Sequence, residues 1–154
     1  MPWYTTTLNK LPTNDFPYLL KQGRRLMNAL EYIHAHGFVH MDIKGMNVFV
    51  ASNGNCFLGD FGSCKPIAEL VTSTTFQFYF EDVTSKPADV KYDWFMFMLM
   101  ILIESLEDRR EYPNLFYDNT ESRFADRTRV LQFANSLTKD ATIGEFIQEL
   151  ILKP

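Results

Sequence analysis

The 154-residue sequence has little of what marks several large classes of protein. Its two cysteines, Cys56 and Cys64, are too few for a disulfide framework and fit a reducing compartment. Lysine and arginine total 15 against 19 acidic residues, and the net charge of −4 argues against a nucleic-acid partner. The longest apolar run, residues 94–103, is about half as long as a membrane-spanning helix. With no secretion signal in the first twelve residues, we expect an intracellular protein, cytoplasmic or nuclear, without membrane association.

The composition that remains is typical of a folded domain. Hydrophobic residues make up 46% of the chain and charged residues 22%, which is enough apolar area to offset the entropy of ordering the chain. No internal repeat or flexible linker interrupts the sequence. We therefore predict one domain, mainly α with a small β component.

Two helices are predicted from local signals. Asp15 and Pro17 mark a helix start, leucines then recur at helical spacing, and Gly37 marks the end. Before Pro17 the chain is predicted to be extended. The apolar run that follows Asp93 has no polar face, which indicates a buried central helix.

The remaining segments give weaker signals. Two short β-type runs around the turn residues 52–55 predict a hairpin. Residues 63–90 are predicted to be a long loop and residues 105–124 irregular. Residues 125–137 are predicted to be helical, and a capping box at residues 142–145 predicts the start of a last helix.

Two polar motifs flank the predicted hairpin. Residues 40–47 read HMDIKGMN and residues 60–62 read DFG. Carboxylate and amide oxygens are ligands that Mg²⁺ accepts beside substrate phosphates, and a lysine can neutralise a transferring phosphoryl group. Seven specified residues in order resemble the catalytic loop and the metal-binding turn of the protein kinase family. The fold implied by this resemblance is the larger, C-terminal lobe of a protein kinase, with the hairpin carrying both loops.

The resemblance implies a role for each motif residue. Asp42 would be the catalytic base and Lys44, typical of Ser/Thr-specific members, would stabilise charge. Asn47 and Asp60 would hold Mg²⁺, and the reaction would move the γ-phosphoryl group of ATP to a serine or threonine of a protein substrate. Phe49 would lie under the adenine ring. Supporting roles are implied for His40, Phe61, Gly62, Thr74, Glu81 and Asp93.

The sequence also departs from the family pattern. Met41 stands where an arginine is usual, Phe80 replaces the proline before Glu81, and Asp140 stands where an arginine would pair with Glu81. No glycine-rich loop or strand lysine is found in the sequence. We therefore expect residues 1–154 to be a partial kinase domain, beginning at the hinge and lacking the N-lobe, which binds ATP and Mg²⁺ only when an N-lobe is supplied.

Other interpretations stay open. The chain could be an inactive pseudokinase-like scaffold that binds a protein partner, or an N-lobe, on a face containing Trp3, Tyr4 and Phe49; it could also be a truncated product without a function of its own. His34 and His36 form a weak zinc pattern. Cys64 is either a reactive thiol or, the favoured interpretation, a small apolar filler.

Overall fold

The structure, a computed structural model, describes residues 3–72, 78–118 and 124–154. These residues form a helix-rich domain with few strands. The strands are β1 (Tyr4–Thr7), β2 (Phe38–Val39), β3 (Val48–Ala51), β4 (Cys56–Leu58) and β5 (Lys65–Pro66). The helices are α1 (Phe16–Ala35), α2 (Val90–Ser105), α3 (Tyr112–Phe116), α4 (Arg127–Leu137) and α5 (Gly144–Ile151).

Helix α1 begins and ends at the residues that its sequence predicts. The Asp15 carboxylate accepts a hydrogen bond from the Tyr18 amide at 3.1 Å, and Pro17 lies in the first turn. Gly37 follows the helix with a φ of +83°, a left-handed conformation in which a Cβ would be strained. This helix prediction is confirmed.

Helix α2 forms the centre of the molecule. Asp89 caps its N-terminus by accepting a hydrogen bond from the Lys91 amide, and every residue from Tyr92 to Ser105 is buried. Helices α1, α4 and α5 contact it. The prediction of a buried central helix is confirmed, and none of the helices in the described ranges is long and apolar enough to cross a membrane.

The predicted hairpin is also confirmed. Strands β3 and β4 pair antiparallel, with Phe49 opposite Phe57, and Gly54 in the turn has a φ of +85°. Strand β1 pairs with the other side of β3, so part of the opening segment is extended as predicted, and a 3-10 turn (Leu8–Lys10) follows it.

Side chains of α1 hold the outer edge of β4. The Cys56 amide donates to the Gln22 side-chain oxygen at 2.8 Å, and the Arg25 guanidinium donates to the Cys56 carbonyl at 3.2 Å. The Tyr18 hydroxyl donates to the Gly54 carbonyl at 2.9 Å. Positions 18, 22 and 25 lie on one helix face, so three side chains take the place of a neighbouring strand.

Two segments predicted without regular structure contain short elements. Within residues 63–90, β5 pairs antiparallel with β2, and Leu70 forms a bridge with Pro87. Within residues 105–124, the described part contains α3. Two-residue strands are too short to show alternation, and their pairing depends on partners far along the chain, so local pattern does not reveal them.

The predicted capping box at residues 142–145 is wrong. Helix α5 follows Ile143 with no side-chain cap. The Asp140 carboxylate instead accepts hydrogen bonds from the Thr142 and Ile143 amides, at 2.8 and 3.0 Å. An aspartate two residues earlier satisfies free amides at the helix start, which is the task that the predicted threonine would have performed.

Candidate active site

The hairpin brings the two polar motifs to the same end of the sheet. The Gly59 amide, just before the second motif, donates to the Asn47 carbonyl at 2.9 Å. The His40 side chain donates through Nε2 to the Gly59 carbonyl at 2.8 Å. These two bonds join loops that start 19 or fewer residues apart and form one continuous surface.

His40 is completely buried and acts as a bracket between the loops. Its Nε2 donates to Gly59, and its Nδ1 accepts the Asp42 amide at 3.2 Å. This pair of bonds assigns the neutral tautomer with hydrogen on Nε2. Because both ring nitrogens bond to backbone groups, His40 orients the loop and has no nitrogen left for a substrate.

Asp93 ties the first motif to the central helix. Its side chain is completely buried and accepts the amides of His40, at 2.7 Å, and Met41, at 2.8 Å. The His34 Nε2 lies 2.8 Å from the same carboxylate. A carboxylate that accepts three short hydrogen bonds is well compensated for its burial.

Met41 adopts a left-handed backbone conformation with a φ of +68°. Residues without a carbon-free α-position pay for this conformation, typically about 1–3 kcal/mol, unless the surroundings hold it. The Met41 amide is held by Asp93, and its carbonyl accepts a hydrogen bond from the buried Tyr79 hydroxyl. The Met41 side chain is buried in the core, where the arginine usual in the family would bring a charge.

Asp42, Lys44 and Asn47 lie together. The Lys44 Nζ is 3.2 Å from Asp42 Oδ1. The Asn47 Nδ2 donates to both Asp42 Oδ2, at 3.0 Å, and the Asp42 carbonyl, at 2.8 Å. The amide hydrogens of Asn47 are therefore directed at Asp42, and its Oδ1 is the atom left to accept from or bind a further group.

The second motif is exposed. Asp60 has a left-handed backbone with a φ of +51°, and its carboxylate accepts the Gly62 amide at 3.4 Å. Phe61 is 52% exposed, and its ring centroid lies 5.2 Å from that of His40. No hydrogen bond or ion pair joins Asp60 to Asn47 in the described ranges, so the structure places the two residues on adjoining loops without direct contact.

Phe49 forms an apolar floor beside the motifs. Its ring packs against Gly59 so closely that a Cβ at position 59 would overlap it. The Tyr4 ring covers it with a centroid distance of 5.3 Å. The hairpin and the preceding strand thus assemble an aromatic surface at the edge of the polar loops.

Glu81 has a different partner from the one the family pattern implies. The Lys86 Nζ lies 2.8 Å from its carboxylate, and the Tyr92 hydroxyl donates to it at 3.2 Å. The hydrogen bond from Lys86 is the main cause that lowers the pKa of Glu81. Asp140, which takes the place of the expected arginine, caps α5 instead. Thr74 lies outside the described residues.

Other candidate residues have ordinary partners. His34 bonds to Asp93, and the His36 Nδ1 lies 2.8 Å from the Tyr32 carbonyl. The described residues contain no group of three or more side chains of the types that hold a metal ion. Burial is the main cause that raises the pKa of Cys64 to about 11, which leaves little of the reactive thiolate at neutral pH.

Sequence reasoning missed two contacts that shape the candidate site. These are the Tyr79 hydroxyl on the Met41 carbonyl and the His34 ring on Asp93. Their partners are 38 and 59 positions apart, and neither pair has a local sequence signal. A buried tyrosine needs a partner for its hydroxyl, which would have directed attention to Tyr79 but not to Met41.

Comparison with known families agrees with this geometry. The protein kinase domain family model matches residues 18–153, which is most of the chain and includes both motifs. This chain belongs to the protein kinase family.

Similar members of the kinase family are Ser/Thr-type enzymes by name. Mitogen-activated protein kinase kinase kinase ANP1 of Arabidopsis thaliana is 49% identical over 51 residues, covering 33% of this chain and 8% of the relative. Serine/threonine-protein kinase pak-2 of Caenorhabditis elegans is 27% identical over 128 residues, covering 74% of this chain and 24% of the relative. Human mitogen-activated protein kinase kinase kinase 3 is 40% identical over 55 residues, covering 36% and 9%. The chain thus spans at most 24% of the length of these relatives.

Proposed function

We propose that this chain is the catalytic lobe of a protein serine/threonine kinase, completed by an N-lobe. The reaction is transfer of the γ-phosphoryl group of ATP to a hydroxyl of a protein substrate. The observation that carries the proposal is the bonded group of Asp42, Lys44 and Asn47, held next to the exposed Asp60 by the hairpin. Phosphoryl transfer requires positioned charge more than covalent help, and this group supplies it.

Each residue has a defined part in this proposal. Asp42 accepts the proton of the attacking hydroxyl, and hydrogen bonds from Asn47 hold the carboxylate in place. Lys44, whose Nζ stays 3.2 Å from Asp42, neutralises negative charge that develops on the transferred group. Phe49 gives the nucleotide base an apolar surface.

The donor set fits Mg²⁺. Asn47 has its amide hydrogens on Asp42, which leaves its oxygen for a cation, and Asp60 presents an exposed carboxylate with one long hydrogen bond. Magnesium binds through one or two carboxylates together with phosphate oxygens and waters, so two protein oxygens suffice. Bound there, the ion would neutralise charge on the nucleotide phosphates.

The test is phosphotransfer by this chain fused behind the N-lobe of a related kinase. Wild-type fusion is expected to phosphorylate a generic Ser/Thr protein with Mg-ATP, and Asp42→Asn is expected to lower kcat by about 10²–10⁴-fold because the base is lost. Asp118→Asn, an exposed aspartate paired with Arg129, is the matched control and should keep full activity. Equal activity of the Asp42→Asn and wild-type fusions would refute the assignment.

A second function, an inactive scaffold, is favoured by one observation. Trp3 is 90% exposed, Phe61 52% and Tyr32 67%, and an apolar groove of about 520 Å³ runs between α1 and β4. Exposed apolar surface of this kind marks interaction sites. A protein partner that binds this chain equally well after Asp60→Ala, with no phosphotransfer by the fusion, would support the scaffold over the enzyme.

A further inference from the structure

A cavity of about 230 Å³ lies beside the first motif and is separate from the surface proposed for the nucleotide. We propose that it binds an apolar side chain of the protein substrate, close in sequence to the residue that receives the phosphoryl group. The inference rests on the proposed kinase function and adds a substrate preference to it.

The cavity wall is mainly apolar. Met100 and Ile103 of α2 and Phe78 are buried residues that line it, while Met46, 48% exposed, lies at its opening. Pockets for drug-sized ligands measure about 300–1,000 Å³, so this smaller cavity suits one large side chain rather than a whole cofactor. An aliphatic side chain is the occupant that gains most from leaving water for such a wall.

The charged groups of the wall disfavour a cationic occupant. Glu104 is buried and paired with Arg109, whose Nε donates to it at 3.2 Å. Burial raises the pKa of Glu104, and the contact with Arg109 acts in the opposite direction. With Lys44 also in the wall, two cations face one compensated carboxylate. A substrate lysine or arginine would therefore meet net positive charge.

The position of the cavity places its occupant near the reacting hydroxyl. Lys44 lines the cavity, and its Nζ is 3.2 Å from Asp42 Oδ1. One lysine side chain thus separates the cavity from the proposed base. Since an extended peptide advances about 3.3 Å per residue, the occupant lies within about three positions of the acceptor serine.

The test measures peptide binding to this chain itself. Fluorescent peptides carry one serine in a neutral background, and each position from three before to three after it is changed in turn from alanine to leucine, lysine or aspartate. We expect leucine at one position to tighten binding about tenfold over alanine, and lysine there to give no gain. Met46→Lys is expected to abolish the leucine preference, and Leu152→Lys, an equivalent change at a remote exposed residue, to leave it intact.

The outcomes separate this inference from the function on which it rests. Equal binding of the leucine and alanine peptides at every position, a preference for lysine, or no binding of any peptide would overturn the cavity assignment. So would a leucine preference that survives Met46→Lys. Phosphotransfer by the fusion protein is scored independently: an active enzyme without the preference refutes only the cavity, and an inactive one with it refutes only the kinase.

Discussion

Asp93 concentrates more of the candidate site's geometry in one side chain than any motif residue does. One buried carboxylate accepts two successive backbone amides and a histidine ring from the segment that carries Asp42. It also fixes the left-handed backbone at Met41, which turns the chain between His40 and Asp42. At the scale of single residues, the position of the proposed base depends on a group that contacts no substrate.

Asp93→Asn is expected to lower the free energy of unfolding by about 3 kcal/mol. An amide puts an NH₂ group where the carboxylate oxygen accepts a donor, which leaves a buried N–H without a partner. Urea denaturation monitored by tryptophan fluorescence measures the change. Asp89→Asn is the matched control on the same helix: asparagine caps a helix as well as aspartate does, so a change below about 0.5 kcal/mol is expected. A loss below about 1 kcal/mol for Asp93→Asn would contradict this account.

Residue-level function was predicted only where a motif announced it. Asp42 and Asp60 stand in recognisable patterns, and Asp93 was connected to the catalytic loop through the family resemblance, not through spacing. The Tyr79 bond to Met41 had no such pattern. Contacts between distant residues depend on how helices and loops pack, which a single sequence does not encode locally.

At the scale of elements, the hairpin is the part on which both loops depend. Strand β4 is the edge of the three-stranded sheet, and an edge strand presents unpaired backbone groups. Gln22 and Arg25 of α1 bond to the Cys56 backbone and complete that edge. The helix therefore holds the hairpin, and through it the relative position of Asn47 and Asp60.

Gln22→Leu is expected to cost about 1–3 kcal/mol of stability, because it buries the Cys56 N–H without an acceptor. Hydrogen exchange should show faster exchange of the Cys56 amide, a local effect that thermal melting alone would not assign. Gln148→Leu, the same change on an exposed face of α5, serves as control and should be close to neutral. Unchanged exchange at Cys56 would show that α1 does not support the strand edge.

Elements with strong local signals were predicted correctly. Helix α1 has its cap and its glycine stop, α2 has its apolar run, and the hairpin has its Asn-Gly turn. The pairing of β2 with β5 and the capping of α5 by Asp140 were missed. In the first case the signal is too short, and in the second two nearby residues could perform the same task, so the choice between them is made by the loop geometry.

At the scale of the whole molecule, the described residues bring few cations to the proposed nucleotide surface. Lys44 is the nearest to the motif carboxylates, and it is already paired with Asp42. A ligand stabilises a protein only as far as its concentration exceeds its dissociation constant. The phosphates of a nucleotide would therefore meet little uncompensated positive charge on this lobe.

Mg-ATP is accordingly expected to raise the melting temperature of this chain alone by less than about 1 °C. The fusion with an N-lobe should gain several degrees under the same conditions, because a second set of phosphate contacts is present. Differential scanning fluorimetry compares the two, with Mg²⁺ alone as the control. A rise of several degrees for the chain alone would show that it binds the nucleotide without help.

The ties between Asp93 and the loop also set an order of assembly. The hairpin closes over a four-residue turn, whereas the Asp93 bonds join residues 52 and 53 positions apart, and longer loops cost more entropy to close. The two polar loops thus meet early in folding, and the loop that holds Asp42 takes its final shape only when α2 docks. The amide protons of His40 and Met41 are protected by that docking alone, which makes them native reporters of whether the site is assembled.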